Sequence, residues 1–391
     1  MRKFLFSTLI IFVCGLNAQT VDLTVEHTTA GSLGTEIATA LAAAEKEASE
    51  IVDTLVITGT AYLTLEDCFE VQASGVAAQV LDLSNALFEN DSLPNQATTS
   101  NGAFQANSNL KTVLLPPTLR VIGRKAFSGC GNLQTVVMPN TIETIYSYAF
   151  ATCAKLELNT LPSNLKYIGD AVFNKCYLLS ISNLPENLEV LGDNTASAGN
   201  GAFRDCAGIS ITEIPENVEM IGQFAFASCS QLTSIKFPEG ITTLSNGAFQ
   251  DCTGLTDLYF GGTTPPSAVL TSGGGKYITF NRVPLENITC HVPVGSLTNY
   301  NTISPWSSMT VVDDFTTKVG TSAIQEMKMI VNNNTIVVEN IKSGENYALF
   351  SAIGQLINSG ISHGNELTFN VSEKGVYMIR VGSQSAKFIV N

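Results

Sequence analysis

The chain contains 391 residues, of which 45% are hydrophobic, so it can bury a large core in two or three domains or in one long solenoid. It has 20 basic and 34 acidic residues, a formal net charge of −14. This charge argues against a nucleic-acid or anionic-membrane partner, because both require basic patches. Only 14% of the residues are charged, which favours a surface that binds through hydrogen bonds and shape.

Residues 1–18 have the pattern of a secretion signal. Arg2 and Lys3 precede a short apolar run, and the segment ends in small residues up to Ala18. The apolar run is too short to span a bilayer, so we predict a signal peptide that is cleaved between Ala18 and Gln19. No later stretch reaches about 18 apolar residues. We therefore expect no integral membrane span after cleavage.

Residues 19–102 are predicted to form the N-terminal cap of a repeat domain, because the open end of a stacked structure exposes both core and strand edge. Two short apolar runs, Leu55–Ile57 and Val80–Leu83, are predicted to be the first strands. Gly34–Ile51 is predicted to be an amphipathic helix, whose apolar face is formed by Ile37, Leu41, Ala44, Ala48 and Ile51.

A 23-residue repeat occupies residues 103–261. The copy GAFQANSNLKTVLLPPTLRVIGR, for example, is followed by KAFSGCGNLQTVVMPNTIETIYS. One step is longer because seven residues are inserted within Asp193–Asn200. The phenylalanines that mark the copies are Phe104, Phe127, Phe150, Phe173, Phe203, Phe226 and Phe249. A period in the twenties is the signature of a solenoid, whose single coils cannot bury a core alone and must stack.

Each coil has apolar positions at fixed distances from its Phe. A Leu or Ile follows the Phe by six residues, and in all but the last coil a Pro ends the apolar run. This run is predicted to be a short strand, since Pro cannot donate to a ladder. A second apolar pair, such as Ile142 and Ile145 or Val218 and Ile221, is predicted to supply the next short strand.

The pattern LPxxLxxIGxxAFxxCxxL resembles the BspA-type leucine-rich repeat, also called the treponemal or type-5 leucine-rich repeat. Cys290–Ser296, with Tyr300 and Trp306, resembles the closing segment of that family, which places the solenoid and its closing segment at 103–312. The resemblance implies a mainly β fold, a leucine-rich-repeat solenoid of about seven 23-residue coils with a helical N-terminal cap. It also implies a bacterial or protistan surface protein, and some members of the family act as adhesins.

Six cysteines form one column of the repeat, three residues after the Phe: Cys130, Cys153, Cys176, Cys206, Cys229 and Cys252. Coils about 4.8 Å apart would allow disulfides, and a metal column is a second alternative. Stacked side chains suit the disulfide torsion poorly, however, and the local CxxC pairs of metal sites are absent. We therefore favour buried free thiols that act as small apolar residues, and predict no cofactor and no metal.

No catalytic motif is present in the sequence. The three histidines, His27, His291 and His363, lie outside any HExxH or nucleophile motif, and each is predicted to be a surface or edge residue. Gly273–Lys276 lacks the first Gly of a phosphate loop and is followed by Tyr277, so we interpret it as a flexible loop. The sequence therefore does not predict an enzyme.

A binding face is predicted on the strand side of the solenoid. Its candidate residues are Thr160, Asn183, Glu213, Lys236 and Tyr259. Three middle coils depart from the repeat, with apolar residues at Leu158, Ile181 and Ile211 and polar residues at Asn159, Ser182 and Thr212. A one-residue shift turns side chains to the other face, so these coils either present a different surface or bulge. The seven-residue insertion falls in the same region.

Residues 324–391 change to alternating strands with Gly-rich turns, which predicts a small β-sandwich. Ala352–Leu356, Lys374–Tyr377 and Lys387–Val390 resemble the type A C-terminal sorting domain of the type IX secretion system. The resemblance implies a Bacteroidetes-type bacterium, export across the outer membrane and the type IX machinery as a partner. It also implies removal of this domain, with release or attachment to surface lipopolysaccharide, through a cut in a linker at 313–323.

Three function classes remain open. The preferred one is a cell-surface or secreted, adhesin-like binding protein that recognises a protein or glycan on host or other bacterial cells. The second is a structural or inter-bacterial assembly role in the envelope. The third, a hydrolase, is disfavoured by the missing motifs.

Overall fold

The computed structural model describes residues 22–44, 52–74, 77–94, 101–194, 200–268 and 279–315, and the strands of a C-terminal unit between 328 and 390. The chain divides into two compact units, residues 1–317 and 318–391. The predicted signal peptide with its cleavage site at Ala18 and Gln19 lies outside the described residues. The same holds for the Gly273–Lys276 loop and for His363.

The N-terminal segment consists of three parallel strands connected by two helices: β1 (Asp22–His27), α1 (Leu33–Ala43), β2 (Thr54–Tyr62), α2 (Leu65–Ala73) and β3 (Val80–Leu87). Helix α1 buries Leu33, Ile37, Ala40 and Leu41 against the core. Of the other residues of the predicted helical face, Ala44 follows the end of the helix and is partly buried, and Ala48 and Ile51 lie outside the described residues. Sequence analysis missed β1 and α2, which are short and carry few apolar residues on one face.

The repeat region forms parallel strands on two sides of the solenoid. We number its coils 1 to 7 from the Phe that begins each copy, so that coil 1 begins at Phe104 and coil 7 at Phe249. Strands on the first side are β4 (Thr112–Leu114), β6 (Thr135–Val137), β11 (Ser234–Phe237), β13 (Asp257–Phe260), β15 (Thr289–Pro293) and β16 (Thr310–Phe315). They belong to two separate sheets, ordered β1-β2-β3-β4-β6 and β11-β13-β15-β16. Coils 3 to 5 contribute no strand to either sheet.

The spacing of buried residues explains this break. Coil 6, which forms a strand, buries Ile235 and Phe237, and only Lys236 lies between them. Coil 4 instead buries Ile181 and Leu184, which are separated by a pair of exposed residues. Alternate side chains of a strand point to the same face, so two of its residues both point inward only if an odd number of residues separates them. Coil 6 meets this condition and coil 4 does not, so the middle coils depart from strand geometry.

The second side is continuous through all seven coils. Its strands have two residues each: β5 (Val121–Ile122), β7 (Thr144–Ile145), β8 (Tyr167–Ile168), β9 (Val190–Leu191), β10 (Met220–Ile221), β12 (Thr243–Leu244) and β14 (Ser267–Ala268). Of each apolar residue pair that was predicted to form a strand, only the second residue lies in one. Ile145 and Ile221 lie in strands, whereas Ile142 and Val218 are buried in the preceding turns.

A stack of phenylalanine rings runs through the core. Neighbouring ring centroids are 5.4 to 5.7 Å apart and the ring planes differ by 4 to 17°. Each such pair contributes about 0.5–1.5 kcal/mol beyond the burial of its surface. The stack has eight members, because Phe280 continues it after Phe249. Sequence analysis missed Phe280, since it follows a Thr and does not keep the regular repeat spacing from Phe249.

The cysteine column lies beside this stack, and its members are free thiols. Each of the six repeat cysteines lies with its Sγ 2.9 to 3.2 Å from the carbonyl oxygen of the Phe in the preceding coil. The thiols therefore donate hydrogen bonds between coils. The predicted buried free thiols are thus confirmed, and the hydrogen bonds add a donor role to their packing.

The C-terminal end of the solenoid is closed by aromatic side chains. Trp306 packs edge-on against Phe260 and Phe280, and the Tyr300 hydroxyl donates a 2.8 Å hydrogen bond to the Gly262 carbonyl. A short helix, α3 (Leu297–Asn301), carries Tyr300. Strand β16 then runs to Phe315, so the first three residues of the segment predicted as a linker, 313–323, belong to the closing strand.

The C-terminal unit contains two antiparallel sheets. Its strands are β17 (Lys328–Asn332), β18 (Thr335–Glu339), β19 (Asn346–Ser351), β20 (Leu356–Ile361), β21 (Glu366–Asn370), β22 (Gly375–Val381) and β23 (Gln384–Val390). They pair in the orders β17-β18-β21 and β20-β19-β22-β23. One buried cluster, which includes Ile336, Phe369 and Ile379, draws side chains from both sheets.

His27 lies in β1, the edge strand of its sheet, as one predicted alternative had it, but it is buried and not a surface residue. It is 1% exposed, and its Nδ1 lies 2.8 Å from a Glu36 carboxylate oxygen. Its Nε2 lies 3.6 Å from the carboxylate of Asp67, which is fully buried. Asp67 also accepts hydrogen bonds from the Thr64 hydroxyl and main-chain N–H, at 2.6 and 2.9 Å. These contacts join β1, α1 and α2.

We predict that the described cysteines are unreactive in the folded chain. Burial raises the pKa of Cys130, Cys176, Cys252 and Cys290 to about 12 from the ordinary value of 9.0. In a Cys14→Ser variant, which leaves only the eight described thiols, a thiol reagent at pH 8 should label none of them within minutes and all eight after unfolding in guanidinium. Because the folded pKa values are raised, stability should fall as the pH rises from 9.0 towards 12. Rapid labelling of a repeat cysteine in the folded chain would contradict the packing described.

We predict that Asp67 stabilises the cap at neutral pH. Burial on its own raises the pKa of this carboxyl, but hydrogen bonds from Thr64, Gly31 and Leu33 outweigh it and hold the pKa below 3.8. The stabilisation is therefore present above pH 3.8 and is lost as the pH falls through the lowered value. Asp67→Asn should lower the unfolding free energy by about 1–3 kcal/mol at pH 7, because an amide cannot accept all these bonds. Urea unfolding at pH 7 and pH 3 should show a smaller loss on acidification in the variant than in the parent chain.

Candidate ligand-binding surface

The predicted binding residues of coils 3 to 5 lie together on the first side of the solenoid. All six are exposed, two in succession on each coil, and together they are called here the middle-coil face: Asn159, Thr160, Ser182, Asn183, Thr212 and Glu213. In the regular coils, a buried residue occupies the first position of each such pair, as Val136 and Ile235 do. Where the shift in spacing breaks the ladder, each coil therefore presents two exposed polar side chains in succession on its first side.

Lys236 and Tyr259 extend this surface onto the neighbouring sheet. Lys236 of β11 forms an ion pair with Glu213, and the two residues also form an isolated parallel bridge. Both side chains of this pair are about half exposed, so it contributes no more than about 1 kcal/mol to stability. Tyr259 of β13 is the register partner of Lys236 and stacks on the His291 ring with a centroid distance of 4.3 Å.

His291 organises a cluster that sequence analysis missed. It was predicted to be a surface or edge residue, yet its side chain is only 15% exposed because it lies between two carboxylates and a ring. Its Nδ1 lies 2.8 Å from Asp314 and its Nε2 lies 3.2 Å from Asp257. These partners are 23 and 34 residues away. Only the parallel register of β13, β15 and β16 brings them together, and a single sequence carries no local signal of it.

Main-chain groups are also available on the middle coils. Within the described stretch 101–194, the N–H groups of residues 158–161 and 182–184 donate no hydrogen bond to another main-chain group. The neighbouring positions of coil 2 form β6, whose bonds to β4 satisfy them. Main-chain N–H groups that can be reached from the surface and have no partner in the protein bond to water or to a ligand.

A surface hollow of about 460 Å³ lies beside the middle-coil face. It is lined by Glu157, Leu158, Asn159, Leu178 and Ser180, and is called here the coil 3/4 hollow. Leu178 and its neighbour Tyr177 are each 51% exposed. The hollow therefore combines polar side chains with exposed apolar surface.

The described ends of the seven-residue insertion, Asp193, Asn194 and Asn200, contact residues of or next to the second side. The insertion follows β9, and at its start the Tyr167 hydroxyl donates a hydrogen bond to Asp193. Asn194 accepts a 2.7 Å hydrogen bond from the Gln223 N–H. At the other end, the Asn200 amide donates to the Tyr148 hydroxyl at 3.4 Å. Burial and then the Asp193 carboxylate raise the pKa of Tyr167, so this phenol stays protonated as a donor.

The described part of the chain contains no group of three or more His, Cys, Asp or Glu side chains placed to hold a metal ion. None of its helices is both long and apolar enough to cross a bilayer. What the surface does offer is a set of exposed hydrogen-bonding groups at a fixed spacing, which is suited to binding.

Comparison with known proteins identifies the repeat. Residues 83–198 and 191–266, slightly less than half of the chain, match the family described as BspA type leucine rich repeat region, in six copies. No curated protein matches the chain.

Solved structures of leucine-rich repeat proteins also match. The chain is similar to a leucine rich repeat protein of T. pallidum, with 25% identity, 47% of this chain and 70% of that chain covered, and a TM-score of 0.30. It is similar to a leucine rich cell surface protein of Faecalibacterium prausnitzii, with 17% identity, 73% and 89% covered, and a TM-score of 0.30. It is also similar to the pneumococcal vaccine antigen PcpA, with 16% identity, 68% and 80% covered, and a TM-score of 0.28. At these TM-scores, no property of the three proteins is transferred to this chain.

Proposed function

Since the repeat region matches the BspA-type leucine-rich repeat family, we propose that this chain is an adhesin-like binding protein of the cell surface or the secreted fraction. It recognises a protein or a glycan on host cells or other bacteria through the first side of its solenoid. Proteins with BspA-type repeats are typically cell-surface or secreted proteins, which agrees with the secretion signal predicted at residues 1–18.

One observation carries this proposal. The ladder is interrupted only where the exposed side carries two polar residues per coil, while the second side stays continuous. The interruption leaves strand hydrogen bonds unformed, which costs stability. The same coils keep their Phe and Cys columns intact, so the irregularity is confined to the surface that a ligand can reach. A binding function would explain why the irregularity is confined to this surface.

We also propose that residues 324–391 direct export through the type IX machinery. The support is the resemblance of its sequence motifs to the type A sorting domain, together with its separation from the solenoid as a compact unit. In a bacterium that has this machinery, deletion of 324–391 should leave the chain in the periplasm. Immunoblots of periplasmic, surface and medium fractions check this. The idea is wrong if the truncated chain reaches the surface as the full chain does.

The binding proposal is tested with a variant of the face and a matched control. The face variant carries Asn183→Ala, Glu213→Ala and Lys236→Ala. The control carries Asn164→Ala, Asn187→Ala and Asn217→Ala, three exposed residues in the turns of coils 3, 4 and 5.

The full chain should bind host matrix, cells or a glycan array saturably. The face variant should bind at least roughly fivefold more weakly and the control should bind normally, since truncating a central contact costs over about 1 kcal/mol. Absence of saturable binding to every probe would refute the proposal. Binding only to another copy of the chain would instead favour an assembly role in the envelope.

A further inference from the structure

We propose that the coil 3/4 hollow is a subsite for a neutral or amino-sugar oligosaccharide. This inference rests on the proposed function and names its ligand class. It concerns a place at the edge of the middle-coil face that contains only one of the predicted binding residues, Asn159.

The size and shape of the hollow fit a short oligosaccharide. Its volume of about 460 Å³ falls within the range of about 300–1,000 Å³ that is usual for small-ligand sites. A protein partner would instead require a contact surface of about 800 Å² on each side. The hollow is a local concavity with five lining residues, and so matches the smaller ligand.

The polar lining is available for sugar hydroxyls. Within the described residues, no hydrogen bond or ion pair occupies the Glu157 carboxylate, the Asn159 amide or the Ser180 hydroxyl. A carboxylate accepts hydrogen bonds, a carboxamide both donates and accepts, and a hydroxyl does both. Their combination suits vicinal sugar hydroxyls, which also donate and accept. The free main-chain N–H groups of residues 158–161 add further donors at the same edge.

Leu158 and Leu178 form the apolar lining and provide a surface for the C–H face of a sugar ring, and Tyr177 precedes Leu178 in the chain. Tyr177 and Leu178 occupy repeat positions that hold Ala154 and Lys155 in coil 3 and Ala207 and Gly208 in coil 5. The pair protrudes from the coil surface because small side chains lie beside it on one or both neighbouring coils. Each residue of the pair is 51% exposed. Elsewhere in the repeat these two positions carry only Ser, Gly, Asn, Gln and Thr. Within the repeat, a Tyr-Leu pair is exposed at these positions in this one coil, where a ligand can cover it.

The negative charge of the lining determines which class of sugar can bind. Glu157 is the only charged residue of the lining, and the chain carries a net charge of −14. Lys155, at the adjoining coil surface, is engaged by Asn132 through a 2.8 Å hydrogen bond. Sialylated and sulfated glycans would place an anion beside Glu157 and be repelled. Neutral sugars avoid this repulsion, and an amino group would be attracted.

The test uses the purified full chain on an array of neutral, amino-sugar, sialylated and sulfated oligosaccharides, followed by calorimetric titration of the neutral or amino-sugar probe that binds best. Three single variants remove one feature of the lining each: Leu178→Ala, Ser180→Ala and Glu157→Gln. Two control variants, Ser230→Ala and Gln231→Ala, change the positions of coil 6 that correspond to the Tyr-Leu pair. All five replaced residues are exposed. Circular dichroism and unreactive thiols check that each variant is folded.

We expect binding to neutral or amino-sugar probes only. Leu178→Ala and Ser180→Ala should each weaken it roughly fivefold or more, and the coil 6 controls should leave it within about twofold. Glu157→Gln should reduce the preference for amino sugars over neutral sugars. Binding that is restricted to sialylated or sulfated probes, or that survives the coil 4 variants, overturns the subsite. If the chain binds a protein through Asn183, Glu213 and Lys236 but binds no sugar, the subsite is wrong and the proposed function stands. If it binds nothing, both are wrong.

Discussion

The stacking of one coil on the next is the constraint on which the rest of the solenoid depends. Each coil presents a Phe ring to the ring of its neighbours at 5.4 to 5.7 Å. It also accepts, through the carbonyl of the same Phe, a hydrogen bond from the cysteine thiol of the following coil. Two interactions of different kinds thus set the same spacing at the same residue. Because the apolar burial per coil is small, the coils become stable only through their neighbours.

This constraint leaves one side of the coil free to vary. The turn around Phe and the two-residue strands of the second side repeat in every coil, and the insertion before Phe203 is accommodated without breaking the ring stack. On the first side, coils 3 to 5 move one buried residue by one position and lose the strand. The loss is tolerated because the columns on the other side of the coil still hold the stack. The surface that results carries paired polar residues, a hollow and exposed main-chain groups.

The two histidines that lie within the described residues make specific contacts that the sequence does not reveal. His27 and His291 both lie in strands of a ladder and both contact carboxylates of other elements. In a sequence they look isolated, because their partners lie in separate helices and strands and share no motif with them. Parallel register converts a separation of about one coil into direct contact. Phe280 is the same case, since it joins the ring stack from outside the regular repeat.

Residue spacing alone was enough to predict the solenoid, its period, its core columns and the three coils that depart from the repeat pattern. These follow from the spacing of Phe, Leu, Cys and Pro, because burial and strand alternation leave a direct trace in the order of residues. The sequence also determined that Asn159, Asn183 and Glu213 would lie in exposed positions. Tertiary structure alone decided that the slip divides the ladder into two sheets, that a hollow forms beside Leu178, and that His291 bridges Asp257 and Asp314. Those outcomes depend on which groups of separate coils lie within a few ångströms of each other. The order of residues in the chain does not specify these distances between coils.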